Sequence, residues 1–306
     1  MFRLTRENYY TPEADWEYMS CSQYQSFLEC EAATVARLSG RYVSNEKPEA
    51  LLVGNYVHSY LESSEAHQEF IKENFGDIYK TKVDKKTGDV IITGKYAPFE
   101  RADKMIDTLI SDEVIKSFID MNGENERIMT GEIFGMPWRI RIDKYIPERN
   151  LIIDYKTCAD FHKTDYNEQT RQRESFVEAY GYLMRAAVYS EIEMQNTGKD
   201  IPANFMLICV SKQDIPDKEL LLLNNPERYE LELENIKRNL IRIKRVKEGS
   251  VYPRRCGRCE YCRATKKLRG VKPYYVLTPG FEGEPEEDEY RACKPENMEI
   301  QQVSGQ

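Results

Sequence analysis

The run Leu151-Ile152-Ile153 is apolar at three consecutive positions and passes directly into Asp154-Tyr155-Lys156. Successive side chains of a strand point to opposite faces, so an unbroken apolar run describes a strand covered on both sides. A chain that contains such a strand needs layers above and below its sheet. A similar run, Ile140-Arg141-Ile142, ends in Asp143, and the four residues Pro147-Glu148-Arg149-Asn150 between the two runs have the composition of a tight turn. Asp143, Asp154 and Lys156 are thereby expected at the ends of two adjacent buried strands, where an unpaired charge is costly. An ordinary ion pair between Asp154 and Lys156, which share a face by the period of two, is one way to compensate them. A divalent cation held by the two carboxylates, with the lysine beside a bound water, is the other, and the apolar context favours it.

The remaining pattern supplies the layers. Leu51, Leu52, Tyr56, Val57, Tyr60 and Leu61 recur at helical spacing, which predicts one helix or two over 48–75. Gly54 and His58 lie four apart within it and share a face, a small residue allowing close backbone approach and an imidazole one turn later. A hairpin is expected around 85–89 and helices over 98–109 and 111–120. Strands follow over 127–134, 138–146 and 151–157, then a helix over 167–193, strands over 203–210 and 219–223, and a helix over 226–248. The core order is helix, three strands, helix, strand, with no internal repeat.

The net charge of -8 is unevenly spread. Residues 281–306 carry eight acids against two bases, so the rest of the chain is nearly neutral. That acidic stretch, rich in Glu, Pro and Gly, reads as a disordered tail over 271–306. A basic cluster precedes it, including Arg254, Arg255, Arg258, Arg263, Lys266, Lys267 and Arg269, and suits phosphate contacts or a solvated face. No apolar stretch is long enough to span a membrane and residues 1–6 lack the core of a signal peptide, so a cytoplasmic protein with reduced thiols is expected. Cys256, Cys259 and Cys262 form a C-x-x-C-x-x-C run, a spacing that wraps a 4Fe-4S cluster more often than it holds structural zinc.

The order of elements and the residues on them resemble the PD-(D/E)XK nuclease superfamily, most narrowly its RecB-like branch and the RecE-type recombination exonucleases of phages and prophages. The matching motifs are Gly54-x-x-x-His58, Asp143, and Asp154-Tyr155-Lys156. That resemblance implies an α/β (α+β) fold with a central mixed sheet flanked by helices, spanning 16–270 after an arm over 1–15. It implies that His58, Asp143, Asp154 and the carbonyl of Tyr155 hold magnesium or manganese, two ions per site, and that Lys156 orients or activates the attacking water. The branch carries a Gln-x-x-x-Tyr motif on the following helix. Here Arg185 and Tyr189 stand in it, and an arginine can contact a DNA phosphate but cannot accept a hydrogen bond. Ser20-Cys21-Ser22-Gln23-Tyr24 is similar to the serine-rich helix start of such exonucleases, with Ser20 or Ser22 suited to its N-cap. In iron-sulfur members of the branch a cysteine placed like Cys30 joins three near the C-terminus, which implies a cluster on Cys30, Cys256, Cys259 and Cys262, with Cys21 the fallback for Cys30. Arg37, Arg41, Arg254 and Arg255 are the remaining candidates for DNA contact. The activity implied is digestion of linear double-stranded DNA from 5' ends, by a trimeric or tetrameric ring, leaving 3' overhangs for a RecT-type single-strand annealing protein. The alternatives are a nuclease subunit working on single strands, as in CRISPR adaptation, and a noncatalytic DNA-end scaffold.

Overall fold

The computed structural model describes residues 2–43, 49–167, 171–267, 271 and 273–277. Arg269, Cys293 and the acidic stretch 281–306 lie outside the described residues. The chain divides into two compact units, Met1–Arg254 and Arg255–Gln306. The division therefore falls before the cysteine run rather than after it, and the expected arm over 1–15 belongs to the first unit.

The first unit opens with α1 (Pro12–Glu17), α2 (Cys21–Glu29), α3 (Glu31–Leu38), α4 (Glu49–Glu62), α5 (Ser64–Glu73) and α6 (Phe75–Ile78). A hairpin of β1 (Tyr79–Val83) and β2 (Val90–Lys95) follows, then α7 (Ala97–Ile110) and α8 (Glu113–Ile119). Next come β3 (Glu124–Ile133), β4 (Met136–Ile146), β5 (Leu151–Cys158), a small hairpin of β6 (Asp165–Asn167) and β7 (Gln172–Glu174), α9 (Phe176–Ala179) and α10 (Tyr182–Thr197). The unit ends with β8 (Asn204–Ser211), β9 (Lys218–Leu222) and α11 (Pro226–Lys247). The helix expected over 167–193 is shorter than its pattern suggested. Ser175 and Glu178 form a capping box that starts the separate turn α9, and Gly181, at φ 66°, breaks the backbone before α10 begins.

The main sheet has the order β3-β4-β5-β8-β9, with β5 and β8 parallel and the other neighbours antiparallel. Its two faces are covered separately, as the apolar run in β5 requires. Ile152 packs with Trp138, Phe205 and Ile236 in one cluster, under α2, α10 and α11. Ile153 and Leu151 pack with Tyr56, Phe99 and Ile208 in the other, under α4, α7 and α8.

The outer edge of β4 is shared, and this opens the site. Residues 144–146 pair with β5, while at the other end of β4 Met19 bridges to Trp138, its N–H donating to Pro137 and its carbonyl accepting from Arg139. Between these two stretches, no described strand lies beside the edge at 140–143, and a cleft of about 860 Å³ lies there. Among the described residues no helix is long and apolar enough to cross a membrane.

Candidate active site

Asp143 and Asp154 are brought face to face by the antiparallel register of β4 and β5, whose last ladder pair is Lys144 with Ile153. Beyond that pair the strands splay, and the Asp143 side chain takes the place of the missing ladder partner: its Oδ2 accepts the Tyr155 N–H at 2.8 Å. The carboxylate is thus fixed by the backbone of the strand that carries the other acid. Lys156 shares a face with Asp154, its Nζ 2.6 Å from Asp154 Oδ2, 4.0 Å from Asp143 Oδ2 and donating to the Tyr155 carbonyl at 2.9 Å.

His58 reaches the same point from α4, its Nδ1 3.6 Å from Asp143 Oδ2. Gly54 makes that approach possible. A Cβ at this position would lie 3.3 Å from Thr157 Oγ1, so a side chain here would press α4 away from the end of β5. His58, Asp143, Asp154, Tyr155 and Lys156 therefore converge at one point of the cleft.

The protonation states suit a cation. Burial pushes the His58 imidazole below its usual value against the pull of Asp143, so it is neutral near neutral pH. Burial alone would raise the Asp143 carboxyl, but His58, Lys156 and the Tyr155 N–H together hold it below the ordinary carboxylate value. Asp154 is almost wholly buried, and its Oδ2 faces the Lys156 ammonium without an aligned hydrogen bond. Two carboxylates, a carbonyl and a neutral imidazole are the donor set of a hard divalent cation such as magnesium or manganese, and an under-satisfied buried carboxylate oxygen fits one.

Arg185 enters this site. Its Nη1 is 3.6 Å from Asp154 Oδ1 and donates to the Tyr189 hydroxyl at 3.4 Å, while Tyr189 donates to the Arg141 carbonyl at 3.0 Å, on the open edge of β4. Tyr189 is buried and packs α10 onto the sheet. Arg185 thus brings what an amide could not, a full positive charge beside an acid of the centre.

The other candidates separate. Arg37 lines the cleft, as do Ser20 and Ser22, and Ser20 caps α2 by accepting from the Gln23 N–H. Arg41 donates to Ser39 and is not among the cleft-lining residues. Arg254 ends the first unit with its N–H bound to Glu31 and its carbonyl accepting from Ala32, beside Cys30. In the second unit, Cys256, Cys259 and Cys262 surround the start of the short helix α12 (Glu260–Ala264), their sulfurs within 4.8 Å of one another. Arg255 braces that loop, donating to the Cys262 carbonyl and the Thr265 hydroxyl. Cys21 lines the cleft near Arg185, and burial pushes its thiol up to about 12, so it is a protonated packing residue. Cys209 is fully buried in β8, and Cys158 is partly buried at the end of β5.

Glu126 escaped the sequence reading. It sits between the pairs Asn125 with Lys144 and Arg127 with Ile142, hence across from Asp143, with its backbone at φ 56°. Arg141 Nε lies 2.6 Å from its Oε2, yet burial outweighs this partner and, with Asp143 adding, pushes the carboxyl up to about 7. Starting the strand at Glu124 rather than Arg127 and counting register from the turn would have placed it there. Tyr9 and Tyr10, in the segment read as an arm, also line the cleft, and nothing in their local pattern announces it.

A family model described as a PDDEXK-like domain of unknown function (DUF3799) matches residues 20–265. The crystal structure of a protein from Eubacterium rectale, provisionally named an exonuclease, aligns with a TM-score of 0.79 at 34% identity, covering 92% of this chain and 100% of that one. The crystal structure of SSO0001 aligns with a TM-score of only 0.30 at 18% identity, over 79% of this chain and 91% of that one. No curated protein matches the chain.

Proposed function

The chain belongs to the PDDEXK-like family grouped as DUF3799, and from that premise we propose that it is a magnesium- or manganese-dependent exonuclease acting on linear double-stranded DNA. It digests the strand that ends 5' and leaves a 3' overhang, the substrate of a RecT-type annealing protein. The observation that carries the reading is the meeting of His58, Asp143, Asp154 and Lys156 where β4 and β5 splay. The name of the Eubacterium rectale protein supports the exonuclease class. The same reading includes a ring-forming trimer or tetramer of this chain.

The residues divide the work. Asp143, Asp154, the Tyr155 carbonyl and His58 would hold the two divalent ions, which would supply Lewis-acid charge to phosphodiester cleavage. Lys156 turns its ammonium from Asp154 toward the attacking water and orients it in line with the phosphorus. Arg185 pairs with Asp154 and holds it aligned, and Arg37 offers a guanidinium to a phosphate farther along the cleft.

Incubation of linear duplex labelled at either its 5' or its 3' ends, with magnesium and then with chelator, tests this directly. Early release of the 5' label as mononucleotide, abolished by chelator, is expected. Early release of the 3' label, or digestion confined to single strands, would replace the polarity or the substrate. No digestion under any metal would support the scaffold alternative.

The cysteines extend the proposal. Cys30 with Cys256, Cys259 and Cys262 holds a 4Fe-4S cluster, structural zinc being the alternative. The support is the clustering of three sulfurs in the second unit, the position of Cys30 beside Arg254 only two residues before Cys256, and the branch resemblance. Anaerobically purified protein should be brown, with broad visible absorption and iron and sulfide in equal amounts. Colourless protein containing zinc would reassign the centre.

A further inference from the structure

Tyr10 is an aromatic residue held in place and left uncovered inside a cationic cleft. About two thirds of its surface is exposed (66%), whereas the neighbouring Tyr9 is buried. Its ring meets Tyr9 edge-on, with centroids 4.9 Å apart, and the Arg141 guanidinium carbon stands 4.9 Å from its centroid. Arg141 is itself fixed by Glu126 at 2.6 Å. Arg139, nearly wholly buried, packs its guanidinium carbon 4.6 Å from the Tyr9 ring and pairs with Asp15, which ties this segment to the sheet.

Arg139, Arg141 and Asp143 alternate along one face of β4 and all line the cleft. Arg141, with Tyr10 against it, is therefore two residues from the candidate metal ligand, about 7 Å along the strand. That is the scale of one nucleotide step from a phosphate held at Asp143. Arg141 already has an acidic partner, so its effect is to fix Tyr10 and enrich the stack through its cation rather than to bind a phosphate. Arg37, Arg185, Lys156 and Lys212 also line the cleft and favour a polyanion.

We infer that Tyr10 is a stacking platform for one unpaired nucleobase, that of the nucleotide next to the scissile phosphate on the strand being cut. This rests on the nuclease reading and adds to it a substrate feature: the terminal base leaves its pair before cleavage. The platform lies outside residues 20–265, those matched by the family model, and is built by the N-terminal segment of this chain. Stacking of a base on an aromatic side chain contributes roughly 1–3 kcal/mol, which corresponds to a five- to 150-fold change in binding.

The test uses the full chain and a duplex whose 5'-terminal nucleotide is an unpaired 2-aminopurine, a base that is bright when free and quenched when stacked. Binding by Lys156→Ala, which holds DNA without cutting it, should quench the emission at least two-fold. Adding Tyr10→Ala should remove the quench and weaken binding roughly ten-fold, and Tyr10→Phe should keep both. In the otherwise unchanged chain, Tyr10→Ala should raise KM for digestion by a similar factor. Tyr10 is exposed, so the substitution leaves the core intact. A quench that survives Tyr10→Ala, or a KM that does not move, overturns the platform while the nuclease reading stands. A wild-type chain that digests no DNA removes both.

Discussion

Replacing Lys156 by alanine is expected to leave the chain folded and to slow DNA digestion by roughly 10³-fold or more, the scale set by loss of a proton-handling group together with an electrostatic stabiliser. The ammonium lies near both acids and the Tyr155 carbonyl, at 2.6, 4.0 and 2.9 Å. Its removal takes away the water-orienting group and leaves the carboxylates free to bind cations. Metal binding measured by calorimetry should therefore persist or tighten, and the thermal transition should stay near that of the wild type. Asp154→Asn gives the complementary result, activity lost together with metal affinity. Asp154→Ala is the poorer probe, because it leaves Lys156 and Arg185 without their shared acid, and breaking a buried pair costs about 3–5 kcal/mol. A Lys156→Ala chain digesting within ten-fold of the wild type would refute the role assigned to this lysine.

The largest stability effect is expected at Trp138. Its side chain is fully buried, its ring centroid lies 5.9 Å from that of Tyr24 on α2, and its backbone bridges to Met19. Trp138→Ala removes the largest apolar body between β4 and the N-terminal layer, at a cost of about 3–5 kcal/mol. For a chain of this size that lowers Tm by roughly 10 °C. The indole Nε1 is buried without a hydrogen-bond partner among the described residues, so Trp138→Phe discards an unsatisfied donor along with some volume and should cost clearly less than the alanine change. Denaturant melts of both variants check the order. An alanine variant within about 1 kcal/mol of the wild type would mean that the Met19 and α2 layer is not packed on β4 as described. Because that layer forms one wall of the cleft, loss of activity in Trp138→Ala should track unfolding rather than precede it.

The three strands, α4, and the shared faces of Gly54 with His58 and of Asp154 with Lys156 were legible because each rests on local periodicity, whereas the meeting of His58 with the two acids was expected from the family resemblance alone. Two residues per strand repeat and four per helix turn decide which side chains share a face, and the short turn 147–150 leaves little freedom in how β4 meets β5. The small hairpin before α10 was hidden because helical spacing alone does not show where a backbone breaks, and only Gly181 and the Ser175 cap set that boundary.

What the chain determined by itself is therefore the pair of buried strands, their two covering layers and the identity of the charged groups on them, since burying charge constrains residues wherever they lie in the fold; that Asp143 and Asp154 lie within β4 and β5 rather than at their ends was not legible. Only the tertiary structure decided that β4 and β5 part after Lys144, that Met19 takes the far end of the same edge, and that Arg185, Glu126 and Tyr10 join the acids in the gap. The contacts of Met19, Arg185, Glu126 and Tyr10 link residues more than ten positions apart, and no local pattern encodes such distances because they depend on how whole layers pack.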